Sequence, residues 1–253
     1  MNFIINDFNI YYEKYGCGNK VIIILPGWGD NRKTFDYMIN FFKKYYSIYI
    51  FDYPGFGKSS FPNKDLTIDD YSQLIISFMK FNNIENPIII AHSFGGRIAI
   101  NLSGKMKIKI KKIILIDSAG IKPKKSIYQK LKQFTYKTLI KIKCTLPRKL
   151  RKRYVNLLIK FFGSDDFKNL SENIRRTFIN IINEDLKDYL KYIKSPTLLI
   201  WGLNDYDTPI KDAYIMEKEI PDSGLVILKK ASHFSYLNYP SYTNVIIDEF
   251  LRN

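Results

Sequence analysis

Pro87-Ile88-Ile89-Ile90-Ala91-His92-Ser93-Phe94-Gly95-Gly96-Arg97-Ile98-Ala99-Ile100-Asn101 reads as a strand, a sharp turn and the start of a helix. The run Pro87 to Ile90 has the unbroken apolar character of a parallel strand covered on both faces. Ala91 to Gly96 form the turn, and the helix is expected from Arg97 onward. A serine at the tip of such a turn carries an exposed hydroxyl on a strained backbone, and small neighbours let strand and helix approach. The usual pattern is Gly-x-Ser-x-Gly. Ala91 stands in the first Gly position, which adds one methyl to a tight place.

The same alternation continues on both sides of this turn. Phe8 to Tyr15, Val21 to Leu25 and Tyr46 to Phe51 read as strands, and Asn31 to Lys44 as a helix with Phe35, Met38, Ile39 and Phe42 on one face. Thr67 with Asp70 forms a capping-box pattern that opens a helix running to about Phe81. Ile113 to Ile116 is a further buried strand. From Lys122 to Ile193 the pattern is helical only, with breaks at Pro147 and Gly163. Strands resume at Thr197 to Trp201 and Leu225 to Leu228, with helices at Pro209 to Glu219 and Tyr242 to Leu251. The expected architecture is α/β, a mostly parallel central sheet with helices on both faces and a helical insertion. The expected boundaries are a first core part over 1–120, a helical cap over 121–193 and a second core part over 194–253.

Composition narrows the class. The chain has 253 residues, 46% hydrophobic and 15% aromatic, which suits one large packed domain and excludes disorder. Cys17 and Cys144 lie far apart without metal-ligand spacing, as expected of free thiols in a reducing compartment. The N-terminus lacks the basic and long apolar regions of a signal peptide, and no run reaches the roughly 18 apolar residues of a membrane span. A cytoplasmic protein is expected. The net charge is +16, and Gly120 to Phe178 carries +14 of it. Such a concentration of charge marks a separate structural unit.

In a sheet of this kind ligands bind past the carboxyl ends of the strands. Ser93 sits at one such end and needs a general base to become nucleophilic. The chain has two histidines. His92 adjoins Ser93 in sequence and should point away from it, which leaves His233, just past the last strand, as the base. The acid that orients His233 is sought after the preceding strand, in Trp201-Gly202-Leu203-Asn204-Asp205-Tyr206-Asp207-Thr208-Pro209. Asp205 is preferred on spacing, Asp207 stands behind it, and Asp117 is a third candidate. The order Ser, Asp, His is that of a triad on this type of sheet. An acyl-transfer site also needs donors where negative charge develops. The backbone N–H of Phe94 is one, and that of Trp28, in Gly27-Trp28-Gly29, is the second.

Five stretches together resemble the α/β-hydrolases of the cap-bearing serine esterase type: Leu25 to Gly29, Asp52 to Ser59, Ala91 to Gly96, Gly202 to Asp205 with Pro209, and Ser232 to Phe234. The resemblance spans nearly the whole chain. Pro26 replaces the frequent His of the oxyanion loop and Ala91 the elbow Gly, and neither removes a triad member or a backbone donor. It implies hydrolysis of a carboxylic ester or related acyl bond through an acyl-enzyme, with no metal or organic cofactor. Carbon–carbon bond hydrolases of ring-cleavage pathways also resemble the chain, but they commonly carry Trp after the histidine, where Phe234 stands. A non-catalytic small-molecule-binding homologue is the alternative of another class. The basic cap is expected to face solvent, an acidic carrier protein or an anionic surface. Esterases acting on pimeloyl groups held by acyl carrier protein resemble the chain in this respect. No nucleic-acid recognition motif accompanies the charge.

Overall fold

Eight strands form one sheet in the order β1-β2-β4-β3-β5-β6-β7-β8. They are Asn2–Ile5 (β1), Phe8–Tyr15 (β2), Lys20–Leu25 (β3), Tyr46–Phe51 (β4), Ile88–His92 (β5), Lys112–Ile116 (β6), Thr197–Gly202 (β7) and Ser223–Leu228 (β8). The β1/β2 and β2/β4 pairs are antiparallel, and every other pair is parallel. This computed structural model describes residues 1–5, 8–30, 32–122, 127–162, 170–171 and 174–252.

The alternation of side chains across the pleat explains why the central strands carry so many isoleucines. Ile23, Leu25, Ile89, Ala91, Ile113, Leu115, Leu199 and Trp201 enter the core on one face. Ile22, Ile24, Ile88, Ile90, Ile114, Ile116, Leu198 and Ile200 enter the core on the other. A strand buried on both faces favours an almost continuous apolar run, with polar side chains kept near its ends. Each fully buried Ile or Leu contributes about 1.5–3 kcal/mol relative to exposure.

The helices of the first face are α2 (Ile68–Phe81) and α3 (Phe94–Ile100), and those of the second are α1 (Asp36–Phe42) and, further along the chain, Pro240–Arg252. The capping box of α2 is formed: Thr67 Oγ1 accepts from Asp70 N at 3.3 Å, and Asp70 Oδ2 accepts from Thr67 N at 2.9 Å. Asn31 lies outside the described residues. A 3-10 turn, Arg32–Phe35, precedes α1, and Phe35, Met38, Ile39 and Phe42 are all buried. The helix after the turn begins at Phe94, ahead of the expected Arg97, and runs on into a π-turn over Asn101–Lys105. Gly95 and Gly96 read locally as turn residues, yet a Cβ on either would overlap Leu25 O or Ser118 Oγ. Close packing against the sheet therefore admits glycine alone within this first helical turn. Strand β1 has no clear pattern in sequence because it is a short edge strand, with Phe3 buried and Ile4 exposed.

Between β6 and β7 the described residues contain no strand. They form α4 (Ile127–Ile142), α5 (Arg148–Phe162) and α6 (Arg175–Asn183) with 3-10 turns, and the break at Pro147 separates α4 from α5. Gly163 lies outside the described residues. The two ends of this segment meet where Leu186 N donates to Gly120 O at 2.9 Å. Helix α6 is tied to the loop before α2, because Leu66 N donates to Thr177 Oγ1 at 2.9 Å. The chain then adds α7 (Ile210–Glu219), α8 (Ser235–Asn238) and α9 (Pro240–Arg252). No described helix is long and apolar enough to cross a membrane.

The strand order reverses between β3 and β5: β4 lies on one side of β3, and β5 lies on the other. Leu25 pairs with Ala91 in that register. The loop after β3 and the turn after β5 therefore open side by side into the crevice where such sheets bind ligands.

Candidate active site

Ser93 stands at this crevice with φ +48° and ψ −112°, in the left-handed region that L side chains rarely adopt. The conformation is held by hydrogen bonds on both sides of the residue. Ser93 N donates to Ile116 O at 3.1 Å, and Ser93 O accepts from Gly96 N at 3.0 Å and Ala119 N at 2.9 Å. Such strain persists only where the surroundings over-determine it. In this conformation the hydroxyl meets the ring of His233.

Ser93 Oγ lies 3.0 Å from His233 Nε2, and His233 Nδ1 lies 2.9 Å from Asp205 Oδ2. Asp205 is buried, and each of its oxygens accepts further hydrogen bonds. Oδ1 takes the backbone N–H groups of Asp207 and Thr208, each at 2.9 Å, and Oδ2 lies 2.6 Å from Thr208 Oγ1. A carboxylate so placed can only accept, so His233 carries its proton on Nδ1 and turns a lone pair on Nε2 toward Ser93. Burial disfavours the charged forms of both groups. For Asp205 the hydrogen bond and charge of His233, with the Thr208 bonds, outweigh burial and hold the carboxyl below its usual range. For His233 the bond and charge of Asp205, with the more distant Asp207 and Asp117, outweigh burial and raise its pKa above 6.5.

The other two carboxylates occupy different places. Asp207 is exposed and meets Asp205 through its backbone N–H. Asp117 is fully buried and clamps two segments: Oδ1 accepts from Gly202 N at 2.8 Å and Oδ2 from Ser235 N at 3.0 Å. Burial pushes its carboxyl up to about 6 against those bonds. Asp117 thus ties the end of β7 to the loop that carries His233. His92 does related work that its sequence position does not announce. Its Nε2 donates to His233 O at 2.8 Å, and the two rings lie 5.0 Å apart. A polar side chain ending the otherwise apolar β5 is the one local sign of this role.

Trp28 and Phe94 lie beside Ser93, and their rings meet edge to face at 5.2 Å. Among the described residues neither backbone N–H has a hydrogen-bond partner. Both residues line a cavity of about 290 Å³ together with Ser93, His233, Arg97, Phe178 and Ile181, among others. Helix α6 supplies Phe178 and Ile181, and Phe178 packs 5.4 Å from the Trp28 ring. The buried Arg97 guanidinium fastens the end of α6 through a 2.8 Å bond from Nη1 to Glu184 O. Burial draws its pKa down to about 10.

Ligand atoms of Asp205, Asp207 and His233 come within 4.8 Å of one another. A cation there would displace the N–H and O–H donors that already fill both Asp205 oxygens. The arrangement fits the orientation of an imidazole. Chemically, an oriented base beside a hydroxyl at the mouth of a cavity can activate that hydroxyl for acyl transfer.

Residues 20–143 match a family model described as the alpha/beta hydrolase fold. A pimeloyl-[acyl-carrier protein] methyl ester esterase from Wigglesworthia glossinidia brevipalpis is 27% identical over 96% of this chain and 97% of its own. An AB hydrolase superfamily protein from Bacillus subtilis is 27% identical over 95% of this chain and 94% of its own. An enol-lactonase structure from Burkholderia xenovorans superposes with a TM-score of 0.77 at 18% identity, covering 100% of both chains.

Proposed function

The chain belongs to the α/β-hydrolase fold superfamily, and on that premise we propose that it is a serine hydrolase of carboxylic esters. The observation that carries this reading is the hydrogen-bonded line from Ser93 through His233 to Asp205. Ser93 Oγ attacks the ester carbonyl carbon while His233 Nε2 takes the hydroxyl proton. The carbonyl electron pair moves to oxygen, where the N–H groups of Trp28 and Phe94 receive the charge. Collapse of this intermediate breaks the C–O bond. His233 returns the proton to the departing alcohol, leaving an acyl-Ser93 ester. Water then attacks with His233 again as base, and the acid and free Ser93 are released. Asp205 holds the tautomer and offsets the imidazolium charge.

Residues 121–193 act as the cap in this reading, and α6 forms the wall of the cavity facing Ser93. The substrate we favour is the methyl ester of an acyl group borne by an acyl carrier protein. Several of the relatives, though not all, are named for that reaction on a pimeloyl group, and the excess positive charge of 120–178 would attract an acidic carrier. A reducing, cytoplasmic setting suits the exposed, unpaired Cys17 and Cys144.

A fluorophosphonate probe tests the core of the reading. Labelling of the wild-type protein and none of a folded Ser93→Ala variant is expected. Equal labelling of both, or ester turnover retained by Ser93→Ala, would refute it. Methyl esters of free and carrier-bound acyl chains then separate the substrate classes.

A further inference from the structure

Helices α4 and α5 form a hairpin whose composition is one-sided. From Ile127 to Phe162 there are eleven Lys or Arg residues and no Asp or Glu. The two helices pack on each other, with Tyr154 Oη donating to Leu139 O at 2.9 Å, and α5 buries Leu158 and Ile159. The opposite face of α5 is bare. Leu150, Leu157 and Phe161 fall at i, i+7 and i+11, one row along the helix, and are 50%, 51% and 66% exposed. Lys149, Arg153 and Lys160 run beside that row and are also exposed. Helix α4 repeats the theme with exposed Leu131, Phe134 and Ile142.

Such a face is at odds with water and needs a partner. We propose that the exposed face of α5 docks this protein, lying flat, on an anionic lipid bilayer. A basic flank alone would serve any polyanion. The apolar residues next to it call for an occupant that offers hydrocarbon as well as negative charge along a 15-residue helix. The headgroup–acyl boundary offers both, with phosphates for the lysines and hydrocarbon for Leu150, Leu157 and Phe161. The proposal is independent of the ester-hydrolase reading, since none of these residues touches Ser93 or His233 in the described site.

The test is sedimentation of the full chain with vesicles of phosphatidylcholine, alone or mixed with phosphatidylglycerol. Binding to the mixed vesicles only is expected, unchanged by Ser93→Ala. Leu157→Ser and Phe161→Ser, which leave the charge intact, should each lower the partition coefficient by about tenfold. Lys149→Ala and Arg153→Ala should each lower it by about fivefold. Leu150→Ser serves if either apolar variant loses its circular dichroism. Absence of binding to anionic vesicles at low salt would overturn the proposal. So would binding that falls with salt yet ignores the apolar variants, since it would then be charge attraction only. Capture of an acidic carrier protein through the same α5 residues, without vesicle binding, would replace the membrane by that carrier.

Discussion

Asp205→Asn separates the orienting carboxylate from its neighbours, and its effect follows from the bonds at each oxygen. Oδ1 accepts two backbone N–H groups, from Asp207 and Thr208. An amide nitrogen there would face two donors, so the new side chain must keep its oxygen in that place. Its NH2 then replaces Oδ2 opposite His233 Nδ1, a position 2.9 Å away. A donor at that point forces the imidazole to offer its Nδ1 lone pair and move its proton to Nε2. Nε2–H then faces Ser93 and cannot accept the hydroxyl proton. Loss of the correct tautomer costs on the order of 10⁴ in kcat in a comparable triad. That equals about 5.5 kcal/mol of transition-state stabilisation. The assay is kcat/KM on a short-chain aryl ester across the pH range, with circular dichroism to confirm folding. In the wild type, neutral His233 is the active form and its pKa is raised, so activity should fall as pH drops through a value above 6.5. The variant lacks the carboxylate that raises it, so any residual acid limb should move to lower pH. Asp207→Asn is the control. Its exposed carboxylate is not the hydrogen-bond partner of His233, and a loss of less than about tenfold is expected for an exposed charge. Asp205→Asn within tenfold of wild type, or Asp207→Asn falling equally far, would refute the assignment.

Two further substitutions probe the scaffold. Gly95→Ala places a methyl against the Leu25 and Pro26 carbonyls, backbone that leads into the Trp28 loop, and a displacement of about 1 Å there should cost roughly 10²-fold in kcat. Thermal melting should fall as well, and a variant with unchanged kcat and melting would contradict the packing described. His92→Phe keeps the ring but leaves the carbonyl of His233 without its 2.8 Å donor, at a cost of about 1–3 kcal/mol. Calorimetry should show the lower melting temperature and kinetics a reduced kcat at near-constant KM, with His92→Gln recovering part of both. Equal behaviour of the Phe and Gln variants would remove His92 from the support of the His233 loop.

Much of the fold was legible because its signals are local. Four double-faced runs, β3, β5, β6 and β7, announce buried parallel strands by apolar continuity, and Thr67 with Asp70 marks a helix start within four residues. Ser93 and His233 stand out because small residues, Ala91 and Gly95, stand two places either side of the one and the other follows the last strand. The edge strand β1 and the early start of α3 were not legible: the first has only one buried side chain, and the second carries two glycines right after Phe94, whose reason lies across the sheet.

By itself the chain determined the alternation, the crevice and three carboxylates as candidates for one role. Spacing put Asp205 first among them, and the tertiary structure supplied the physical reason, because hydrogen-bond direction is a property of neighbours brought from afar. Asp117 is spent on Gly202 and Ser235, and Asp207 turns to water. Asp205 alone of the three meets His233 Nδ1 with its remaining oxygen, across 28 residues of sequence. The support that His92 lends to His233 spans 141 residues, and no local pattern encodes a bond of that reach.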